Sequence, residues 1–210
     1  MSIAYPLSLP ATKAAAEIRL RMCSTVGNSG SPFTPSDQSY TWTREWWEAD
    51  VTLPPMKRAD ASEWIGLIAS MNGMQGSLYM GDPLGATPRG IATGTPLVKG
   101  ASQTGKTLET DGWTISQNGI LKRMDWIQLS SGTSSRLHAV VVEPNSDSSG
   151  NATLEIWPAL RESPADNSAI VVSGAKGRWR LRSNSNEWAE NIGGIYSVTF
   201  TLVEDLRALA

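Results

Sequence analysis

The chain has 210 residues, 40% of them apolar and 18% charged, and a formal net charge of −2, which excludes a strongly basic nucleic-acid or membrane-surface binder. One Cys and one His exclude an internal disulfide framework and a Cys-cluster or His-pair metal site. Nineteen Gly and twelve Pro point to short strands and turns rather than long helices.

The N-terminal Met-Ser-Ile-Ala-Tyr-Pro-Leu lacks the basic and long apolar regions of a signal peptide. No apolar run approaches the ~20 residues of a membrane span. The expectation is a β-rich soluble protein made in a reducing cytoplasm. Residues 14–22 end in strict alternation, with Ile18, Leu20 and Met22 on one side and Glu17, Arg19 and Arg21 on the other. That pattern predicts a half-buried strand. Residues 24–39 are rich in Ser, Thr, Gly, Asn and Pro around a single Phe33, which predicts a long functional or mobile loop. Residues 40–53 predict a long strand closed by Pro54-Pro55. Its apolar parity changes from Tyr40, Trp42 and Trp46 to Trp47, Ala49, Val51 and Leu53, which predicts a β-bulge at Trp46-Trp47.

Residues 60–73 predict the one convincing helix. Asp60 is the candidate N-cap with Glu63 three residues on. Trp64, Ile65, Leu67, Ile68 and Met71 form one apolar stripe, and Asn72-Gly73 supplies a left-handed stop. Residues 76–81 read as a strand. From Asp82-Pro83 to about Ser116 the chain turns to Gly, Thr, Pro and Ser with isolated apolar residues. Strands at 124–129, 137–143 and 151–157 then form a meander. Short strands follow at 170–172 and 177–181, and 195–203 alternates Tyr196, Val198, Phe200 and Leu202 as a closing half-buried strand. The first three strands and the last are expected in one sheet with the helix packed on it. The organisation predicts a discontinuous core of 1–83 together with 176–210, interrupted by an inserted β-rich unit at 84–175.

Nine Trp stand against two Phe, and Trp42, Trp46, Trp47 and Trp64 fall close together. They are expected to pack a core under a sheet, with a subunit-interface anchor or a sugar-stacking platform as the alternatives.

The chemistry-bearing constellations are weak. Gly100-Ala-Ser-Gln-Thr-Gly-Lys-Thr107 matches a phosphate-loop pattern letter for letter. It lacks a core strand before it and a helix after it, and Asp111-Gly112 signals a turn, so a Gly/Thr loop is expected. Val140-Val-Val-Glu143 imitates the partner strand of such a loop but lies in the meander. Asn145, Asp147, Ser149 and Gly150 resemble the start of a calcium loop, yet Ile156 stands where a Glu is needed, so a turn is expected. Glu45, Glu48 and Asp50, and Glu187 with Glu190, are carboxylate groupings expected on solvated strand faces. His138 lies in an apolar strand with no nucleophile elbow, and Cys23 has no His near it in sequence; both read as structural. Arg178, Arg180 and Arg182 alternate along one solvated strand face, with an acidic neighbour as the alternative. No catalytic, cofactor-binding or metal-ligating residue is assigned, and the protein is expected not to be an enzyme.

Five phrases then carry a resemblance. They are Tyr-Pro-Leu-Ser-Leu-Pro at 5–10, Trp-Trp-Glu-Ala-Asp-Val-Thr-Leu-Pro-Pro at 46–55 and Gly-Asp-Pro-Leu-Gly at 81–85. The others are Gly-Asn-Ala-Thr-Leu-Glu-Ile-Trp-Pro at 150–158 and Pro-Ala-Asp-Asn-Ser-Ala-Ile-Val-Val at 164–172. In this order they resemble tail proteins of long-tailed bacteriophages, of the distal tail (tail-tip) kind. The resemblance implies a tail-tube-like β-sandwich or split-barrel core with one packed α-helix, plus an inserted small β-barrel. It implies a structural virion protein forming a hexameric ring at the tail tip, assembled in the host cytoplasm and linking the tail tube to the baseplate hub. Implied partners are further copies of the chain, the tail tube protein, the hub and the tape-measure protein, with DNA passing through the lumen unbound. The insertion is small beside those of larger family members, and no extra carbohydrate-binding module stands out. Residues 17–22, 24–39 and 40–53 are the candidate joining elements. The alternative expectation is a tail-tip carbohydrate-binding module using exposed Trp residues.

Overall fold

Apolar alternation decides which face each strand buries, and Trp47, Ala49, Val51 and Leu53 do share one buried face. The computed structural model describes residues 3–34 and 36–207. Residues 1–2 and 208–210, the ends of the predicted core unit, and Pro35, in the predicted loop, lie outside the described residues. The elements in chain order are β1 (Glu17–Gly30), β2 (Asp37–Thr52), β3 (Met56–Lys57), α1 (Arg58–Ser70) and β4 (Leu78–Met80). There follow β5 (Gly94–Val98), β6 (Gly105–Trp113), β7 (Trp126–Leu129), β8 (Arg136–Val140) and β9 (Ala152–Leu160). The chain closes with β10 (Gly177–Leu181), β11 (Trp188–Glu190) and β12 (Ile195–Glu204).

The fold is mainly β, in two curled antiparallel sheets, with one α-helix among the described residues. The seven-stranded sheet runs β1-β2-β12-β10-β4, and β3 and β11 pair the first residues of β12. The first two strands, the strand after the helix and the last strand therefore share a sheet, as expected. The helix lies over β12, where the Trp64 and Phe200 rings are 6.0 Å apart. Ala61, Trp64, Leu67 and Met71 form its buried stripe. The five-stranded sheet runs β5-β6-β9-β8-β7 and uses only residues 94–160. Both of its edges bond to one segment. Val98 N donates to Ser168 O on the β5 side, and Val171 and Gln128 exchange backbone hydrogen bonds on the β7 side.

Two apolar cores result. The first joins α1 to the seven-stranded sheet and takes in Trp126, Leu137 and Ala139 from the other sheet. The second, including Leu108, Ile127, Leu154 and Ile156, lies inside the five-stranded sheet. Trp47 spans the junction. Its ring meets Trp126 at 4.9 Å and Trp157 edge-on at 4.3 Å, and its Nε1 donates to Leu137 O at 3.1 Å.

Several expectations need correction. The predicted loop at 24–39 is largely strand, because β1 and β2 continue past the core as one long hairpin. Backbone pairing alone suffices there, so apolar alternation gives no signal. The register shift lies between Ser24/Glu45 and Val26/Thr41, which moves the predicted bulge from Trp46-Trp47 to 42–44. Met22 keeps the side of Ile18 and Leu20, opposite Trp47, but is exposed there rather than half-buried. The turn-rich stretch after Asp82-Pro83 holds β5 and β6, and β3 and β11 are further short strands. Residues 169 and 171 form isolated bridges rather than a strand at 170–172. The helix begins at Arg58 with Lys57 as N-cap, which puts Asp60 in its first turn, where a carboxylate still favours the positive end of the helix dipole. Asn72 and Gly73 do adopt positive φ, 49° and 62°.

Candidate functional site

The most distinctive surface is the distal half of the β1–β2 hairpin. Every described residue from 28 to 44 is exposed. Local polar bonds hold the tip: Ser31 N donates to Ser36 O, and Ser31 Oγ accepts from Phe33 N and Thr34 N. The projection carries large apolar side chains into solvent. Phe33 is 93% exposed, Trp42 58% and Tyr40 55%. Trp42 thus leaves the core expected for it, while Trp47 and Trp64 are buried and Trp46 is half-buried. Among the described residues β1 pairs only with β2, which leaves its other edge without a strand partner there. An open edge strand presents unpaired backbone groups that are able to pair with another chain.

At the base of the hairpin the sequence hides an ionic seam. Glu45 and Glu48, expected on solvated faces, are each only 8% exposed. Glu45 shares the inward parity of Trp47 and accepts from Lys106 Nζ at 2.6 Å and from Ala159 N at 3.0 Å. Burial pushes its carboxyl upward, but Lys106, the Ala159 amide and Arg161 outweigh this and hold it below the ordinary glutamate value. Glu48 faces the other way and pairs with Arg182 at 2.5 Å and Arg21 at 3.5 Å. Arg21 also reaches Asp50 at 2.9 Å. Further in, Arg161 pairs with Glu204 at 3.2 Å and Arg178 with Asp205 at 3.2 Å. Arg178 is therefore buried and paired, which corrects the solvated reading of its stripe; Arg182, the third member, is exposed and meets the acidic neighbour. Sequence reasoning missed Arg136, Arg161, Glu204 and Asp205. The one available signal was a pair of acids, Glu204-Asp205, ending an apolar strand.

The structure places the remaining motifs as follows. Residues 100–104 connect β5 to β6, and Gly105-Lys106-Thr107 opens β6, with no helix at hand to receive a phosphate. Lys106→Ala is expected to cost under about 1 kcal/mol, because its side chain is 53% exposed at the ion pair. MgATP is expected to leave the melting temperature of the natural chain in place. A dose-dependent rise would contradict this, since any ligand of the folded state stabilises it. Asp147 closes a turn, accepting from Ser149 N, Asn151 N and the Asn151 amide. The strand predicted at 137–143 stops at Val140, the last residue of β8, and Glu143 beyond it pairs with Lys122 at 2.9 Å. His138 is buried, and its Nδ1–H donates to Pro158 O at 2.7 Å. Burial lowers it to about 4, and Arg161 and Arg136 work in the same direction, so the ring is neutral at pH 7. Cys23 is half-buried, and burial raises its thiol. Glu187 and Glu190 are exposed. Among the described residues no group of three or more His, Cys, Asp or Glu is placed to hold a metal ion. No described helix is long and apolar enough to cross a membrane. No protein-family model and no curated protein matches the chain.

Proposed function

We propose that this chain is a structural subunit of the distal end of a bacteriophage tail, where copies close into a hexameric ring that links the tail tube to the tail-tip hub. The observation that carries the reading is the projecting β1–β2 hairpin, exposed throughout 28–44 and tipped with Phe33, Tyr40 and Trp42, beside the open edge of β1. In a monomer such an edge invites uncontrolled pairing; in a ring each copy offers one patch to a different patch on the next until rotation closes the circle. On this reading the seven-stranded sheet and α1 form the tail-tube-like sandwich. The five-stranded sheet, tied at both edges by 167–171, is the inserted small barrel. The face bearing Arg21, Glu48, Asp50 and Arg182 neutralises itself, which suits a wall past which DNA slides without binding. Catalysis has no part in this function, and the resemblance of the five sequence phrases supports it independently.

Mass by light scattering after size exclusion tests the proposal. The chain weighs 22.6 kDa, and a closed hexamer of about 136 kDa with a central hole in negative stain is the expected result. Phe33→Asp with Trp42→Asp is expected to abolish the hexamer while moving monomer stability by only about 0.5 kcal/mol, as for other exposed sites. A strict monomer at high concentration overturns the ring. If Trp emission also responded to bacterial surface polysaccharide, the carbohydrate-binding alternative would replace it, with exposed Trp42 and Trp188 the residues to examine.

A further inference from the structure

One side of the β1–β2 hairpin carries a ladder of aromatic side chains. Tyr40 pairs directly with Gly27 across the strands, and Trp46 pairs with Cys23. Cys23 and Gly27 are four residues apart on β1, so both face the same way. On that side the six-membered ring of Trp42 covers Gly27, where an added Cβ would lie 2.9 Å from Cζ3 and 3.0 Å from Cη2. Arg44 is exposed and lies 4.7 Å over the Trp46 ring. Tyr40, Trp42, Arg44 and Trp46 therefore line one side of the strand, away from the core that Trp47 enters.

Two features set the ladder in place. Gly27 has no positive φ, so its backbone does not call for glycine; the Trp42 ring that rests on it does. The register shift sets residues 42–44 of β2 against Thr25 alone, and a bulge of this kind re-aims side chains. The rings nevertheless meet water, since Trp42 is 58% and Tyr40 55% exposed. Clustered exposed aromatics mark a binding surface. The charges decide what it fits. Among the described residues Arg44 has no ion-pair partner, while Arg21 and Arg182 on the same side are taken up by Glu48 and Asp50. A nucleic-acid strand brings a phosphate with every nucleotide, and its affinity comes from several cations that neutralise them. One free guanidinium beside two acids, in a chain of net charge −2, does not meet that need. A saccharide offers a flat C–H face to an indole and hydroxyls for hydrogen bonds, and a single carboxylate on it suffices for Arg44.

We propose that the ladder from Tyr40 to Trp46 is a binding site for an acidic saccharide, with sugar rings stacked on Trp42 and Tyr40 and a carboxylate substituent held by Arg44. The site goes beyond the ring reading above. Strand pairing along β1 runs in the plane of the sheet, whereas these side chains stand out of that plane, so a neighbour joined at the β1 edge leaves them uncovered.

Isothermal titration with sialyllactose and with tetragalacturonate tests the site, with lactose as the neutral control and an oligothymidylate and a proline-rich peptide as competing probes. An acidic saccharide is expected to bind, and more tightly than lactose. Trp42→Ala is expected to weaken that binding roughly tenfold or more, the scale of one lost aromatic stack. Gly27→Val keeps every aromatic residue but lifts the Trp42 ring, and is expected to weaken binding as well. Arg44→Gln is expected to erase the preference for the acidic saccharide over lactose. Failure of both acidic saccharides to bind, or binding that all three variants leave unchanged, overturns the site. Binding of the oligothymidylate or the peptide in their place, lost in Trp42→Ala, also overturns it and assigns the ladder to that partner. Light scattering of the same samples reads the ring separately. Hexamers that bind neither saccharide overturn the ladder alone, and a strict monomer that binds one overturns the ring alone.

Discussion

Trp47→Ala is expected to destabilise the fold by about 3–5 kcal/mol, and Trp46→Ala by about 1 kcal/mol. The two residues are neighbours in β2 and are chemically identical, so strand parity alone separates them. Trp47 is 1% exposed and belongs to both sheets: its ring meets Trp126 and Trp157, and its Nε1 serves Leu137 O. Truncation removes two aromatic contacts and the indole hydrogen bond, and opens a void where the sheets join. Trp46 looks to the other face, where its Nε1 donates to Glu48 at 3.1 Å and Arg44 lies 4.7 Å over its ring. A domain of this size holds about 5–15 kcal/mol in total, so Trp47→Ala consumes a large part of it. The melting temperature is expected to drop by on the order of 10 °C. Because Trp47 couples the sheets, urea unfolding of the variant is also expected to broaden into two steps. Equal losses for Trp46→Ala and Trp47→Ala in urea titrations would mean that the register of β2 is wrong.

The legible parts of this fold are those where burial is one-sided. The 47–53 parity, the 64–71 stripe and the 196–202 alternation each face a single apolar core, and each appears in the structure on the expected side. Elements held by backbone pairing alone were not legible. Residues 24–30 and 37–44 contain Ser, Asn, Gly and Thr because neither face is buried, and such a composition looks the same in a loop. Strands β5 and β6 were hidden for a related reason. Their Gly and Thr residues serve tight turns, as at Gly112, where positive φ and the nearby Thr95 carbonyl leave no room for a side chain. The ionic seam was illegible because each partner comes from a distant strand. Glu45 meets Lys106, Glu204 meets Arg161, and Glu48 meets Arg182 only after the sheets have packed. Charge in sequence says little about exposure when the counter-charge is a hundred residues away. The assembly proposed above draws on the resemblance of the sequence phrases, and the exposed hairpin adds a physical motive for it that no sequence pattern displayed.

Asp205→Ala is expected to cost about 3–5 kcal/mol, because it strands a buried guanidinium. The side chains of Arg178 and Asp205 are each 2% exposed and their charged atoms are 3.2 Å apart. Burial pulls the Arg178 guanidinium below its ordinary value, and Asp205 only partly restores it. Arg207 also bonds Asp205, at 2.8 Å, but its side chain is 45% exposed, so Arg207→Ala is expected to cost about 1 kcal/mol or less. Replacing Arg178 and Asp205 together by Met and Leu is expected to recover most of the loss, since neither charge then remains to be solvated. The pH dependence separates Asp205 from the residue beside it. Burial pushes the Asp205 carboxyl up, but the Arg207 hydrogen bonds and the Arg178 charge overcome this and hold it below 3.8. Its contribution is therefore present above that ordinary value and is lost as the pH falls through the folded one. Glu204 behaves oppositely: burial raises its carboxyl above 4.5 despite Arg161, so its contribution is full below 4.5 and is lost as the pH rises through the folded value. Melting temperature against pH is accordingly expected to show an acid limb that Asp205→Asn flattens and a descent above 4.5 that Glu204→Gln flattens. An acid limb unchanged in Asp205→Asn would show that this carboxylate is not the one that Arg178 and Arg207 hold ionised.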